Sequence, residues 1–308
     1  MRIRIRISID LLSLVPLERF EVTYPYRKLP GYLYKRTIPF SKLRTYLPRS
    51  EIQPYSYRRF SMYEHRDTGN RLFVSNLRRK ESKRAKPLYL LFLSSYSHPL
   101  SYEEVYPVVR FFQESCNVHL RLSRVHLAMD LVSKGKATPY QRIIQALKPG
   151  YKGGPKPKLV YPSSIYFGSR RSSNSLVAYD KARQLREVQG LRVRGTVFRL
   201  EWRAHVPHLP GLPRTLDELA VFDWSFLYPQ YFSFHQPSST LLAKLRAHGE
   251  DYRRPLWELR DLAQNQLHIL PSNFYTHYLE DHPRFSAPIR RALARYRWCV
   301  DSEKDKPP

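Results

Sequence analysis

Hydrophobic and polar positions alternate most clearly at the start of the chain. In "MRIRIRISIDLLSLVPL", Arg2, Arg4 and Arg6 alternate with Ile3, Ile5 and Ile7. A period of two describes a strand with one buried face and one cationic face. The same alternation marks "HLRLSRVHLAMDLV" and "RGTVFRLEWRAHV". Between them, "SIYFGSRRSSNSLVAYDKARQ" (164–184) sets two short apolar stretches around an arginine- and serine-rich turn, which predicts a β-hairpin. "RLFVSNLRRKESKRAKPLYLLFLSS" reads as two strands joined by a basic loop, Arg78 to Lys86, and "KPGYKGGPKPKLVYP" as a cationic loop.

Elsewhere the period lengthens to that of a helix. "SYEEVYPVVRFFQESCN" carries Val105, Val108, Val109 and Phe112 on one side, with Ser101 as N-cap and Glu104 completing a capping box. "DKARQLREVQG" predicts a short helix ended by Gly190. A proline-rich joint, "PHLPGLPRTLDEL", precedes aromatic material. From about Ser238, "STLLAKLRAHG", "PLWELRDLAQNQLHIL" and "APIRRALARYRWCV" are helical. The expected fold is α+β: an antiparallel sheet with packed helices over 1–235, a small helical C-terminal region over 236–300 and a solvated tail over 301–308.

Composition changes this picture in one respect. A hydrophobic share of 42% over 308 residues is enough for a real core, yet 53 basic against 26 acidic residues leave a formal charge of +27. Folding does not need that excess; a polyanionic partner explains it. DNA, RNA and an anionic membrane are the choices. A membrane fits poorly, because no run approaches the roughly 18 apolar residues of a spanning helix. The basic start is a strand rather than a signal peptide, since it alternates and no small-residue cleavage site follows. Cys116 and Cys299, the only cysteines, lack zinc spacing, and a reducing cytoplasm is expected.

Three stretches offer chemistry. In "RVHLAMD", Arg124, His126, Ala128 and Asp130 share a strand face. In "FRLEWRA", Arg199, Glu201 and Arg203 do the same. If these strands are neighbours, His126, Asp130 and Glu201 can converge, and oxygen ligands with one nitrogen suit Mg²⁺ or Mn²⁺. The same residues also read as ordinary salt-bridged strand positions. In "SLVAYDK", Ser175, Val177, Tyr179 and Lys181 share a face. A phenol, with a pKa of about 10, is mostly protonated at neutral pH. A metal-bound phosphate or a nearby lysine favours phenolate, which can displace a sugar 3′-oxygen from a DNA phosphate. Most of the 23 tyrosines only pack. Arg170 and Arg171 in the turn are candidates to hold backbone phosphates, with Arg199 and Arg203 as further DNA contacts. Aromatics interleaved with basic residues in "YKRTIPFSKLRTY" and "YSYRRF" can stack unpaired bases, or simply pack at a basic surface.

"SRVHLAMD", "SIYFGSRRSSNSLVAYDKARQ" and "VFRLEWRA", in that order, resemble the replication initiation factor family: rolling-circle initiators of plasmids and filamentous phages and relaxases of conjugative elements. The likeness covers about residues 120 to 205. The family pattern is a strand "R-h-D-h-A-h-D" (h apolar), then "h-Y-h-G-S-R-x-S", "h-R-h-Y-D-K" and "h-R-h-E". The resemblance implies a metal-dependent nickase that cuts one origin strand and stays joined to its 5′-phosphate. It puts the nucleophile on Tyr179, with Tyr166 as runner-up and Lys181 beside it. It places metal ligands at Asp130 and Glu201, using Mg²⁺ or Mn²⁺. The chain departs from the pattern twice: His126 stands where the first aspartate is expected, and Val177 where an arginine usually precedes the tyrosine. Implied partners are origin DNA, single-stranded or as a hairpin, a host helicase and a second copy of the chain. From another class, a DNA-binding origin or copy-control protein without catalysis accounts for the charge and aromatics equally well.

Overall fold

Leu120–Ser133 buries Val125, Leu127, Met129 and Leu131 on one side and turns His126, Ala128 and Asp130 to the other, as alternation requires. In the computed structural model this strand lies in the interior of a sheet, with a strand paired along each side. The structure describes residues 3–18, 28–43, 59–76, 88–95, 97–133, 139–148, 159–161, 164–168, 174–191 and 195–298. Arg170 and Arg171, the basic loop 78–86 and most of "KPGYKGGPKPKLVYP" lie outside them.

The elements in chain order begin with β1 (Ile3–Pro16), β2 (Lys28–Leu29), β3 (Tyr32–Pro39), α1 (Phe40–Leu43), β4 (Arg59–His65), β5 (Arg71–Asn76) and β6 (Leu90–Leu93). Next come α2 (Tyr102–Cys116), β7 (Leu120–Ser133), α3 (Pro139–Ala146), β8 (Leu147–Lys148), β9 (Leu159–Tyr161), β10 (Ser164–Phe167), β11 (Asn174–Asp180), α4 (Lys181–Gln189) and β12 (Thr196–His205). The chain continues through α5 (Leu216–Ala220), α6 (Leu227–Gln230), β13 (Ser233–Pro237), α7 (Ser239–Ala247), α8 (Leu256–Leu267), α9 (Pro271–His277), β14 (Leu279–Asp281) and α10 (Ser286–Arg295).

Among the described residues, eleven strands form one sheet in the order β2-β3-β4-β5-β6-β1-β7-β12-β11-β10-β9. Its pairings are antiparallel. The fold is therefore α+β, an antiparallel sheet with packed helices. The expected hairpin is β10–β11, and α4 follows with Asp180 as N-cap and Gly190 as a left-handed C-cap, φ 68°.

The sheet's two faces are used differently. One carries the main core, where Val105, Val108, Val109 and Phe112 of α2, Ile143 and Ile144 of α3, and Ile289 and Leu293 of α10 meet the inward side chains of β1, β7, β11 and β12. Over part of the other face, Leu11, Leu91, Phe73, Met62 and Phe60 make a smaller cluster. The rest of that face, among the described residues, is mostly polar, with Ala128 and Val177 as apolar positions within it. In the C-terminal region α7, α8 and α9 build their own cluster around Leu241, Leu245, Leu259 and Phe274, whereas α10 returns to the main core. Among the described residues, no helix is long and apolar enough to cross a membrane.

The capping box expected on α2 forms only by half. Ser101 accepts from the Glu104 backbone N–H, as predicted. The Glu104 side chain turns inward instead, buried, and accepts from the Tyr32 hydroxyl, from Asn70 Nδ2 at 2.7 Å and from Thr68 Oγ1 at 3.4 Å. Tertiary donors reach the carboxylate before its own backbone does.

Candidate functional site

Register fixes the polar face row by row. Across β10, β11, β12, β7 and β1, one row reads Ser164, Tyr179, Arg199, Asp130, Arg6. The next reads Tyr166, Val177, Glu201, Ala128, Ser8. A third reads Ser175, Arg203, His126, Leu11. Residues directly opposite have Cβ atoms about 5 Å apart, so side-chain pairing within and between rows follows from the backbone alone.

Glu201 is the hub. Its Oε1 accepts from Arg203 Nε at 2.9 Å and from His126 Nδ1 at 3.1 Å, and its Oε2 accepts from the Tyr179 hydroxyl at 3.1 Å. All four side chains are buried. Burial raises the Glu201 carboxyl, but the charge of Arg203 and the bonds from His126 and Arg203 outweigh it and hold that carboxyl well below the usual range. Tyr179 goes the other way: burial and then the Glu201 charge push its phenol well above 10. At neutral pH the pair is therefore a phenol donating to a carboxylate, and both shifts keep the proton on Tyr179 in the resting site.

Arg199 is the second hub. Its Nε and Nη2 bind Asp130 at 2.6 and 2.7 Å as a bidentate fork, and its Nη1 binds Asp10. Burial alone would lower its pKa; the two carboxylates reverse that and raise it well above the ordinary value. Lys181, first residue of α4, sits 5.7 Å from the centre of the Tyr179 ring and donates to Gln184 Oε1 at 3.1 Å. Burial, with Arg199 nearby, lowers its pKa.

The expected residues thus share one face of neighbouring strands, but not in the expected grouping. His126 meets Glu201. Asp130 instead faces Arg199 directly across the ladder, and the guanidinium fork claims both its oxygens. Among the described residues no group of three His, Cys, Asp or Glu is placed to hold a metal ion. The donor set as arranged does not fit Mg²⁺ or Mn²⁺: the oxygens of Glu201 and Asp130 are taken by Arg203, His126, Tyr179 and Arg199. Arg199 and Arg203, expected at the DNA backbone, are buried and spend donors on carboxylates, because each lies opposite or beside an acidic partner on the same face. Tyr166 occupies the same face one row away, opposite Val177 and half-buried.

Asp10 escaped the sequence reading. It sits at a β-bulge in β1, between the pairs Ile9–Leu127 and Leu11–His126. It accepts from Ser8 Oγ at 3.0 Å and from Arg199. Burial raises its carboxyl against the pull of Arg199. The signal was available: the alternation of Arg2, Arg4 and Arg6 runs on through Ser8 to Asp10.

No protein-family model matches the chain, and no curated protein matches it. Among solved structures it is similar to the rolling circle replication initiator protein from Geobacillus stearothermophilus. That likeness is 13% identical, covers 77% of this chain and 89% of that one, and has a TM-score of 0.37. At this score it carries no argument about residues or chemistry.

Proposed function

We propose that the chain is a rolling-circle replication initiator or relaxase that nicks one origin strand through Tyr179. One observation carries the reading: the Tyr179 hydroxyl donates to Glu201 at 3.1 Å, with Arg199 directly across the ladder. Excess positive charge, +27, and the motif resemblance of 120–205 support it. In the reaction the Tyr179 oxygen bonds to phosphorus as the bond from phosphorus to the 3′-oxygen breaks. Bonding to phosphorus acidifies the phenol oxygen, and Glu201 Oε2 takes its proton in that step; Lys181, whose ammonium is already acidified by burial, supplies one to the leaving oxygen. Arg203 and His126 keep Glu201 ionised and aimed. The ester conserves the energy of the broken bond, so the strand can be rejoined. Nicking does not unwind a duplex, so this function carries with it a helicase supplied by the host.

A single-stranded or hairpin origin oligonucleotide incubated with the protein, in Mn²⁺ and in EDTA, tests this on a denaturing gel. A covalent adduct lost in Tyr179→Phe and kept in Tyr166→Phe is expected; an adduct that survives Tyr179→Phe sinks the assignment.

A second reading, DNA binding without catalysis as an origin or copy-control protein, is favoured by the depth of Tyr179, only 6% exposed. Tight binding with no adduct in any condition would establish it. Under either reading affinity should fall roughly a thousandfold between about 50 and about 200 mM salt, if some six phosphates are neutralised. Tighter binding to an RNA hairpin than to DNA of the same sequence would redirect both.

A further inference from the structure

The motif resemblance calls for a divalent ion at this site, and the residues hold something else there. Asp10 comes from the bulge of β1, Asp130 from β7, and between them lies the guanidinium of Arg199 from β12. Two carboxylates on neighbouring strands, both facing one buried point, are what a hard cation needs. Here the point is filled by a cation built into the chain. We propose that Arg199, clasped by Asp10 and Asp130, is the resident cation of the site, and that strand transfer by Tyr179 uses it in place of a divalent metal. This rests on the nicking function proposed above.

The donor arithmetic gives Arg199 something to do. A guanidinium has five N–H groups. Nε–H and one N–H of Nη2 go to Asp130, and one N–H of Nη1 goes to Asp10. One N–H on each Nη is left, and these are available to the non-bridging oxygens of a phosphate. Tyr179 is paired directly across the ladder from Arg199, and the phosphate of the nicking step would sit between the two. Three fixed bonds to carboxylates pre-organise the guanidinium, which then meets the growing charge on phosphorus without reorganising. Bond making and breaking are those of the nicking step: Tyr179 oxygen to phosphorus forms, phosphorus to 3′-oxygen breaks, Glu201 gains the phenol proton and Lys181 gives one to the leaving group. Asp10 and Asp130 are positioning residues; they touch Arg199, not the substrate.

Two measurements on the full chain decide it. In a Mn²⁺ titration followed by the electron paramagnetic resonance of the free ion, the wild-type protein should take up no ion at this site. Uptake of one ion that Asp130→Asn abolishes would overturn the proposal. In the adduct assay, yield in EDTA should equal yield in Mn²⁺ within about twofold, whereas an adduct formed only with Mn²⁺ would overturn it. Arg199→Ala, checked for folding by circular dichroism, should lose at least about 100-fold in adduct rate. If that variant does not fold, Arg199→Lys, which keeps the charge and loses the fork, should show the same loss. Wild-type rate in a folded Arg199 variant counts against the proposal. Should the wild type form no adduct under any condition, the nicking function fails, while the Mn²⁺ titration still decides which cation this carboxylate pair holds.

Discussion

Two buried glutamates, each accepting a hydrogen bond from a tyrosine, stand at opposite ends of this molecule's logic. Glu104, 5% exposed, has only neutral partners among the described residues: the Tyr32 hydroxyl, Asn70 and Thr68. Glu201, 6% exposed, has Arg203 and His126 as well as Tyr179. Both tyrosines are driven above their ordinary pKa, by burial first and the carboxylate second. A perturbed phenol beside a carboxylate is thus not by itself a sign of chemistry. Glu104 ties the start of α2 to β3 and to the β4–β5 turn. What sets the other site apart is the cations: Arg203 on the carboxylate, Lys181 over the ring, and Arg199 across the ladder with donors to spare.

The strongest way to break this contrast is to remove each hydroxyl in turn. Tyr179→Phe should reduce adduct formation by at least about 1,000-fold, whereas Tyr32→Phe should leave the rate per folded molecule unchanged. Equal losses in both variants, measured on the denaturing gel, would erase the distinction between a working tyrosine and a structural one.

Next in size is stability. Glu201→Gln removes the carboxylate charge that Arg203 Nε meets at 2.9 Å in a buried site and should cost about 3–5 kcal/mol in urea unfolding. Glu104→Gln keeps an acceptor for Tyr32 while setting an amide N–H₂ against Asn70, and should cost about 1–3 kcal/mol. The reverse order would mean that the cations around Glu201 contribute little.

The strands were legible because alternation is local: β1, β7 and β12 follow from their own residues, as do the β10–β11 hairpin and the Gly190 C-cap of α4. Which residues share a face within each strand was legible for the same reason; that the faces of Tyr179, Glu201 and His126 come together depends on the strand order β7-β12-β11, which the sequence reading held only as a condition. Which residue pairs with which was not legible. That depends on register, and register placed Arg199 rather than Glu201 opposite Asp130. Asp10 stood in the alternation of β1, but its place beside Arg199 is set by a bulge, and the inward turn of Glu104 by donors 34 and 72 residues away in sequence. Contacts decided by long-range packing leave no period to read.

The pH dependence separates the sites further. If Glu201 is the base and Lys181 the acid, the adduct rate should be flat through the neutral range, where Glu201 is ionised, and fall at alkaline pH as Lys181, whose pKa burial lowers from 10.5, loses its proton. A rise of about tenfold per pH unit would mean that phenolate forms before attack. Stability gives the matching acid limb. A carboxyl whose folded pKa lies below its unfolded value of 4.5 stabilises the protein above that value, and the contribution is lost as pH falls through the folded pKa. Urea unfolding from pH 5 downward should show this slope in the wild type and a shallower one in Glu201→Gln.

The smallest expected effect lies at the alkaline end, where the two tyrosines should behave alike. Each has a folded pKa above its unfolded value of 10.0, so the folded state holds the phenol proton more tightly. Stability is then constant below pH 10 on this account and falls as pH rises beyond it, because the unfolded chain ionises first. At about pH 10.5 each phenol should cost roughly 0.8 kcal/mol, and either Tyr32→Phe or Tyr179→Phe should recover its own share. Equal recovery would show that proton affinity reports burial at both places, leaving the neighbouring cations as the feature that distinguishes Tyr179. Recovery in one variant only would mean that the other hydroxyl meets solvent in the folded protein, and the pairing of the two glutamates as like environments would fail.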